Sequence, residues 1–419
     1  MTTAAQLETL NRSVRTNDAV VTGIGVAAPN GLGTETWWQA VLNGTSGIRR
    51  IRRFDCDRYP QRLAGEILDF DPSEHLPSRL LPSTDHMTRL ALVTAKEAFD
   101  DAGVDPAALP EYAAGVVTAS SAGGYEFGQK ELQALWSKGG RYVSAYQSYA
   151  WFYAVNTGQI SIRHNLRGPS GVLVTEQAGG LDAIAQARRH LRKGIGMVLT
   201  GGVDSALCPW GWLAHMADNR LSESNDTLQA FRPFAADASG YVPGEGGALF
   251  LLEEAAAARA RGARVYGAVA GYAATFDPAP GTGTPRLAAA AELALADAGI
   301  SASEVDVVFA DADGTPDLDL AEADAITTVF GSHAVPVTAP KTMTGRLAAG
   351  GAPLDVAAAL LALRDQVIPP TINVGEPAPD LGLDLVCGEP RPARLATALV
   401  LARGRGGFNA AVVLRTDLP

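Results

Sequence analysis

Apolar positions along this chain follow two alternating rhythms. Runs such as "AVVTGIGVAAP" (Ala19–Pro29), "AAGVVTAS", "IGMVLTGGVDS" and "GGALFLLE" (Gly246–Glu253) are short, continuous and rich in Val, Ile, Leu and Ala. Runs of that length predict strands buried on both faces. Between them lie segments with apolar residues three and four apart. "HMTRLALVTAKEAFDDAG" (His86–Gly103) predicts a helix with a Gly stop, and "AAAARARG" predicts another. The rhythm then restarts. "RVYGAVAGYAA" (Arg264–Ala274) resembles the opening strand, "RLAAAAELALADAGI" (Arg286–Ile300) parallels the earlier helix, and "VDVVFADADGT" is a strand running into a loop.

A closer echo supports an internal duplication. Gly179, Gly180, Leu181 and Asp182 open one Ala-rich helix; Gly350, Gly351, Leu354 and Asp355 open another. The pattern predicts two copies of one α/β unit meeting near residue 260. The division is a polar N-terminal extension over 1–17, one half over 18–260 and a second over 261–419. The chain ends in loops and a last strand within "GRGGFNAAVVLR" (Gly404–Arg415).

"VLVTEQAGGLDAIAQA" (Val172–Ala187) carries the sharpest question. A strand turning abruptly into a helix is where many enzymes place a nucleophile, because helix N–H groups and the dipole can activate it or hold an oxyanion. Here the tip is Gln177, whose amide nitrogen is no nucleophile.

Composition removes several alternatives. A net charge of −11 argues against nucleic acid and anionic membranes as main partners. Three scattered cysteines, Cys56, Cys208 and Cys387, suggest neither a disulfide framework nor a zinc site and fit a reducing cytoplasm. The first residues lack the basic start and apolar run of a secretory signal. No stretch reaches the roughly 18 apolar residues of a spanning helix.

The duplicated unit, the elbow, "ADADGT", "PKTMTGRLAAGGA" and "GRGGFNAA" occur in an order and spacing that resemble the β-ketoacyl synthases of the thiolase superfamily. The resemblance runs from about Ala19 to the C-terminus. It implies an α/β, thiolase-like fold with two pseudo-repeated halves in layers α-β-α-β-α. At the working positions this chain departs from a condensing enzyme. Gln177 stands where the family has Cys, Asp313 where H-G-T has His, and Arg346 where T-G-H has His; Lys341 matches the family lysine. Gly404, Gly406, Gly407 and Asn409 match the terminal glycine loop, with Arg405 where Phe is usual, and Arg232, Pro233 and Phe234 match a further segment.

A thioester needs a thiolate, and condensation needs enolate and oxyanion stabilisation. Gln177 cannot be acylated, Asp313 would repel an enolate, and Arg346 stays charged and shuttles no proton. The chain is therefore not expected to condense on its own. "EQAGGLDA" and "SYAWFYAVNTGQISIR" (Ser148–Arg163) are similar to the ketosynthase β subunits, or chain length factors, of type II aromatic polyketide synthases. That resemblance implies a heterodimer with a catalytic ketosynthase α subunit. It implies an acyl carrier protein docking mainly on that partner, a poly-β-ketone chain extending along the interface, and neither cofactor nor metal.

Gln177 has two readings: an amide imitating an acylated cysteine in an oxyanion hole, and so assisting malonyl decarboxylation, or a group satisfying polar atoms at a buried helix start. Asp313 and Arg346 are expected to pair, since a lone buried charge is costly. "GGYEFGQKELQALW" (Gly123–Trp136) matches the segment that closes the channel in the subfamily. If helical, it puts Tyr125, Gly128 and Leu132 on one face. Gly128 either leaves room for a long product, on the order of ten ketide units or more rather than eight, or breaks the helix or permits close packing. The aromatic stretch before Asn156 reads as interface or as core. Two competitors stand beside this reading: an acyltransferase using Cys208, and a thiolase-fold acyl-binding or scaffold protein outside polyketide synthesis.

Overall fold

A computed structural model describes residues 18–416 except 122, 280 and 376; the proposed extension over 1–17 lies outside the described residues. Apart from a two-residue strand, Gly31–Leu32, that pairs with the end of the first, the strands of the main sheet, in chain order, are β1 (Ala19–Ala28), β2 (Ala114–Ala119), β3 (Ser170–Leu173), β4 (Met197–Asp204), β5 (Gly246–Glu254), β6 (Gly267–Phe276), β7 (Val307–Phe309), β8 (Pro336–Thr338), β9 (Asp384–Leu385), β10 (Thr397–Gly404) and β11 (Phe408–Arg415). The helices that matter for the site are α1 (His86–Asp101), α2 (Tyr125–Lys138), α3 (Val155–His164), α4 (Gly179–Arg192), α5 (Pro209–Met216), α6 (Leu287–Ala298), α7 (Pro316–Phe330) and α8 (Gly351–Asp365).

The duplication is explicit in the strand order. From the centre outwards the first half runs β1, β5, β4, β2, β3, and the second runs β6, β11, β10, β7, β8, with β9 added at the far edge. Both follow the order first, fifth, fourth, second, third. In both, the two outer pairings are parallel and the two inner ones antiparallel. The halves join through two residue pairs, Val20 with Ala268 and Val21 with Gly267.

Each half of the sheet is covered on both faces, which is why its strands read as continuous apolar runs. Along β5, Ala248, Phe250 and Leu252 point to a central cluster with α4 and α8, while Leu249 and Leu251 point outwards to α1. Along β11, Ala410, Val412 and Leu414 face the same centre, and Ala411 and Val413 face α6. The layers are therefore helix, sheet, helix, sheet, helix. All residues of α8 from Gly351 to Leu363 are buried, as expected of a helix apolar on every side.

The strand before the elbow is shorter than its β-branched run. β3 ends at Leu173, and Val174 and Thr175 leave the ladder. It pairs on one side only, with β2, so its other edge is open. Near it in sequence, Tyr142, Tyr146, Tyr149, Trp151, Phe152 and Tyr153 are all more than a third exposed. In this chain, then, the aromatic stretch is surface rather than core. Among the described residues no helix is long and apolar enough to cross a membrane.

Candidate functional site

The elbow is built by close approach. After β3 a single turn, Glu176–Ala178, leads into α4, and Glu176 is held at φ 53, a left-handed conformation costly for a non-Gly residue. Asp182 fixes the turn from inside, accepting from the Thr175 hydroxyl at 2.5 Å and the Tyr272 hydroxyl at 2.7 Å. Gly404 lies so near that a Cβ there would stand 2.2 Å from the Thr175 carbonyl oxygen. This seats the β10–β11 turn, with Gly406 and Gly407 at φ 83 and 106, directly on the elbow. Asn409 anchors the turn by donating to Asp277 at 2.8 Å. The Arg405 backbone N–H donates to the Glu176 carboxylate at 3.2 Å.

Gln177 is buried, and its amide lies against Gly351, the first residue of α8; a Cβ on Gly351 would stand 2.5 Å from Gln177 Oε1. That oxygen has no hydrogen-bond partner among the described residues.

Asp313 and Arg346 come together, but not as the main pair. Arg346 Nη2 stands 3.8 Å from Asp313. Its principal partner is Asp311, reached at 3.1 Å, with a further bond of 2.8 Å to the Asp311 carbonyl. Asp313 instead accepts from Thr315 at 2.8 Å. Arg403 adds to the cluster, contacting Asp311 at 3.4 Å and Glu322 at 3.1 Å. Lys341 donates to the carbonyls of Ala310 and Asp311 at 2.7 and 2.9 Å and pairs with Asp355 at 2.6 Å. Burial alone would raise the Asp311 carboxyl, yet Arg346, Arg403 and Lys341 outweigh it and hold it at about 2. For Asp355 burial wins over Lys341 and lifts the group to about 6. Burial opposes the charge on Arg346, but Asp311, Asp313 and Glu176 keep it fully cationic. Asp313, Arg346 and Lys341 are here parts of one buried ion network.

Beside this network lies a cavity of about 430 Å³. Asp313, Arg346, Arg405, Tyr241, Leu287 and Phe408 are among its lining residues, whereas Gln177 lies outside its wall. Arg405 spans the cavity, donating to Tyr241 at 2.5 Å and pairing with Asp218 at 3.2 Å. Cys208 is no displaced nucleophile. It is buried, its Sγ caps α5 by accepting from Gly211 at 3.5 Å, and burial pushes its thiol up to about 11.

The segment expected to close a channel is helical from Tyr125 to Lys138, and Gly128 does not break it. Gly128 is buried under Trp210: an added Cβ would sit 3.2 Å from the indole and 3.5 Å from Trp151 Cβ. Tyr125 stacks edge-on against the same indole, 4.9 Å between centroids. Leu132, Trp136 and Trp210 line an open groove on the outer side of α2. The space above Gly128 is filled by the Trp210 ring, which also lines the groove. Sequence reasoning missed Asp311, Glu322, Asp355, Arg403 and Trp210 as members of these clusters.

With this geometry described, comparison places the chain among known proteins. Residues 16–258 match the β-ketoacyl synthase N-terminal domain and 266–375 the C-terminal domain. The chain is 60% identical over 399 residues to the tetracenomycin polyketide synthase ketoacyl synthase β subunit of Streptomyces glaucescens, covering 94% of this chain and 98% of that one. It is 57% identical to the actinorhodin polyketide β-ketoacyl synthase 2 of Streptomyces coelicolor, covering 96% and 99%. Among solved structures, the ishigamide ketosynthase/chain length factor superposes with a TM-score of 0.86 at 29% identity, covering 96% of this chain and all of that one. A ketosynthase bound to its type II acyl-carrier protein and a hexaketide gives 0.86 at 27%, with the same coverage.

Proposed function

The chain belongs to the β-ketoacyl synthase family, and from that premise we propose that it is the non-condensing ketosynthase β subunit of a type II aromatic polyketide synthase. It pairs with a catalytic ketosynthase α subunit and sets the length of the polyketide made in antibiotic biosynthesis. The observation that carries this is the exchange of chemistry for structure at all three working positions. An amide replaces the thiol, and Asp313 and Arg346 are tied into a buried ion network. A chain so altered supplies no thiolate and no titrating imidazole at these positions, so condensation falls to the partner's residues. The names and solved complexes of its relatives point the same way.

The open β3 edge and the exposed aromatics suit a surface covered by the α subunit. The carrier protein docks mainly on that partner, and the growing poly-β-ketone runs along the interface towards Tyr125, Gly128 and Leu132 on α2. The complex works in the cytoplasm, and the two halves, 18–260 and 261–419, form one unit.

The test is co-expression with a Cys-elbow α subunit and its carrier protein, followed by size-exclusion chromatography and mass spectrometry of the product. A one-to-one complex is expected, with Gly128→Phe giving a shorter chain, because a phenyl group there must push the Trp210 ring towards the groove. The same product without this chain would instead favour a scaffold outside polyketide synthesis.

A further inference from the structure

Helix α2 is held in an unusual way. Of its fourteen residues only Gly128 and Glu131 are buried, so no apolar side chain of its own is fully buried beneath it. Polar ties add to its half-buried contacts. Ser121, just before it, donates its N–H to Asp204 at 2.8 Å. Gly124 donates to the Trp151 carbonyl at 3.1 Å. Within the helix, Gln129 accepts from the Trp210 N–H and Glu131 from the Ser144 N–H, both at 2.6 Å.

The central tie is Asp85, 3% exposed. One carboxylate oxygen accepts from Met87 N–H at 2.8 Å and caps α1; the other accepts from Phe127 N–H, also at 2.8 Å, in the first turn of α2. Gly124 approaches so closely that a Cβ there would stand 2.9 Å from Asp85 Cβ. A single carboxylate thus joins the start of α2 to a helix packed on β1, β4 and β5. Charge-assisted hydrogen bonds of this kind are the stronger ones, and here they add to the contacts that Tyr125 and Gly128 make with Trp210.

We propose that Asp85 is a positioning residue for product length: by capping α1 and α2 together it fixes where Tyr125, Gly128 and Leu132 stand relative to the channel. The proposal rests on the reading of α2 given above. Asp85→Asn keeps the shape but leaves one acceptor oxygen for two N–H groups; Asp85→Ala removes both caps.

Each variant is purified in complex with the α subunit and supplied with carrier protein and malonyl groups. Product lengths are read by mass spectrometry, and amide exchange over 125–131 is read on the same complexes. Asp85→Asn is expected to assemble as the parent does, to raise exchange at Phe127 on the order of tenfold, and to yield a second product length beside the first. A lower yield at one unchanged length marks a merely structural role and overturns the proposal. Unchanged exchange at Phe127 overturns it as well, as does failure of Asp85→Asn to assemble. The parent complex separates the two levels: a product length that does not depend on this chain at all removes the reading of α2, and this proposal with it.

Discussion

Arg346 stands in a buried charge cluster. Its guanidinium is buried between Asp311 and Asp313 and close to Arg403. Removing one member of such a buried set leaves an uncompensated charge. Arg346→His is therefore expected to destabilise the chain by about 3–5 kcal/mol, read as a lower urea midpoint; an unchanged midpoint would remove the network from the account. Gln177→Cys, in turn, is expected to yield no condensation by the isolated chain, because Asp313 still repels an enolate and Arg346 gives up no proton. Carbon–carbon bond formation by that variant alone would contradict this. Gln177, Asp313, Arg346 and Lys341 were legible because they sit in recognisable local motifs. Asp311 was not, although a spacing of two from Asp313 was the available signal. Arg403 and Glu322 had none, since they meet across 81 residues of chain.

The paired Gly-Gly openings acquire a physical reason at the level of the helices. α4 and α8 begin against each other, and a Cβ on Gly180 would stand 2.2 Å from Pro353 Cδ. An exposed helical Gly→Ala ordinarily gains about 1 kcal/mol. Here the ring cannot give way, so Gly180→Ala is expected to cost about 1–3 kcal/mol, measured by thermal unfolding. Gly351→Ala meets only the end of the Gln177 side chain and is expected to cost less; the reverse order would refute the packing argument. The echo that revealed the duplication also contained Asp182 and Asp355, one fixing the elbow and the other pairing with Lys341. Strands and long helices were readable because burial on two faces imposes an unbroken apolar run. The pairing of Gly128 with Trp210 was not, since it depends on how α2 meets α5.

The whole chain carries more buried acid than its surface composition suggests. Burial pushes Asp85, Asp204 and Asp355 to about 6 and Asp319 to about 7. Each binds a proton more tightly folded than unfolded, so each favours folding as pH falls through these values and disfavours it as pH rises through them. Asp311, held at about 2, contributes above the ordinary carboxylate range and loses its contribution below about pH 4. Two imidazoles oppose the raised acids: burial lowers His164 and His215 to about 4, so their contribution grows as pH rises towards the ordinary histidine value. Asp319→Asn isolates the acids and is expected to lessen the fall in unfolding midpoint between pH 5 and pH 8; an unchanged profile would count against the buried acids. The Asp311 network has one more consequence, for ancestry. A lineage returning to catalysis one substitution at a time would pass through chains with a stranded interior charge, less stable than either end of the path. Selection on stability disfavours each such single step, so the network acts as a ratchet.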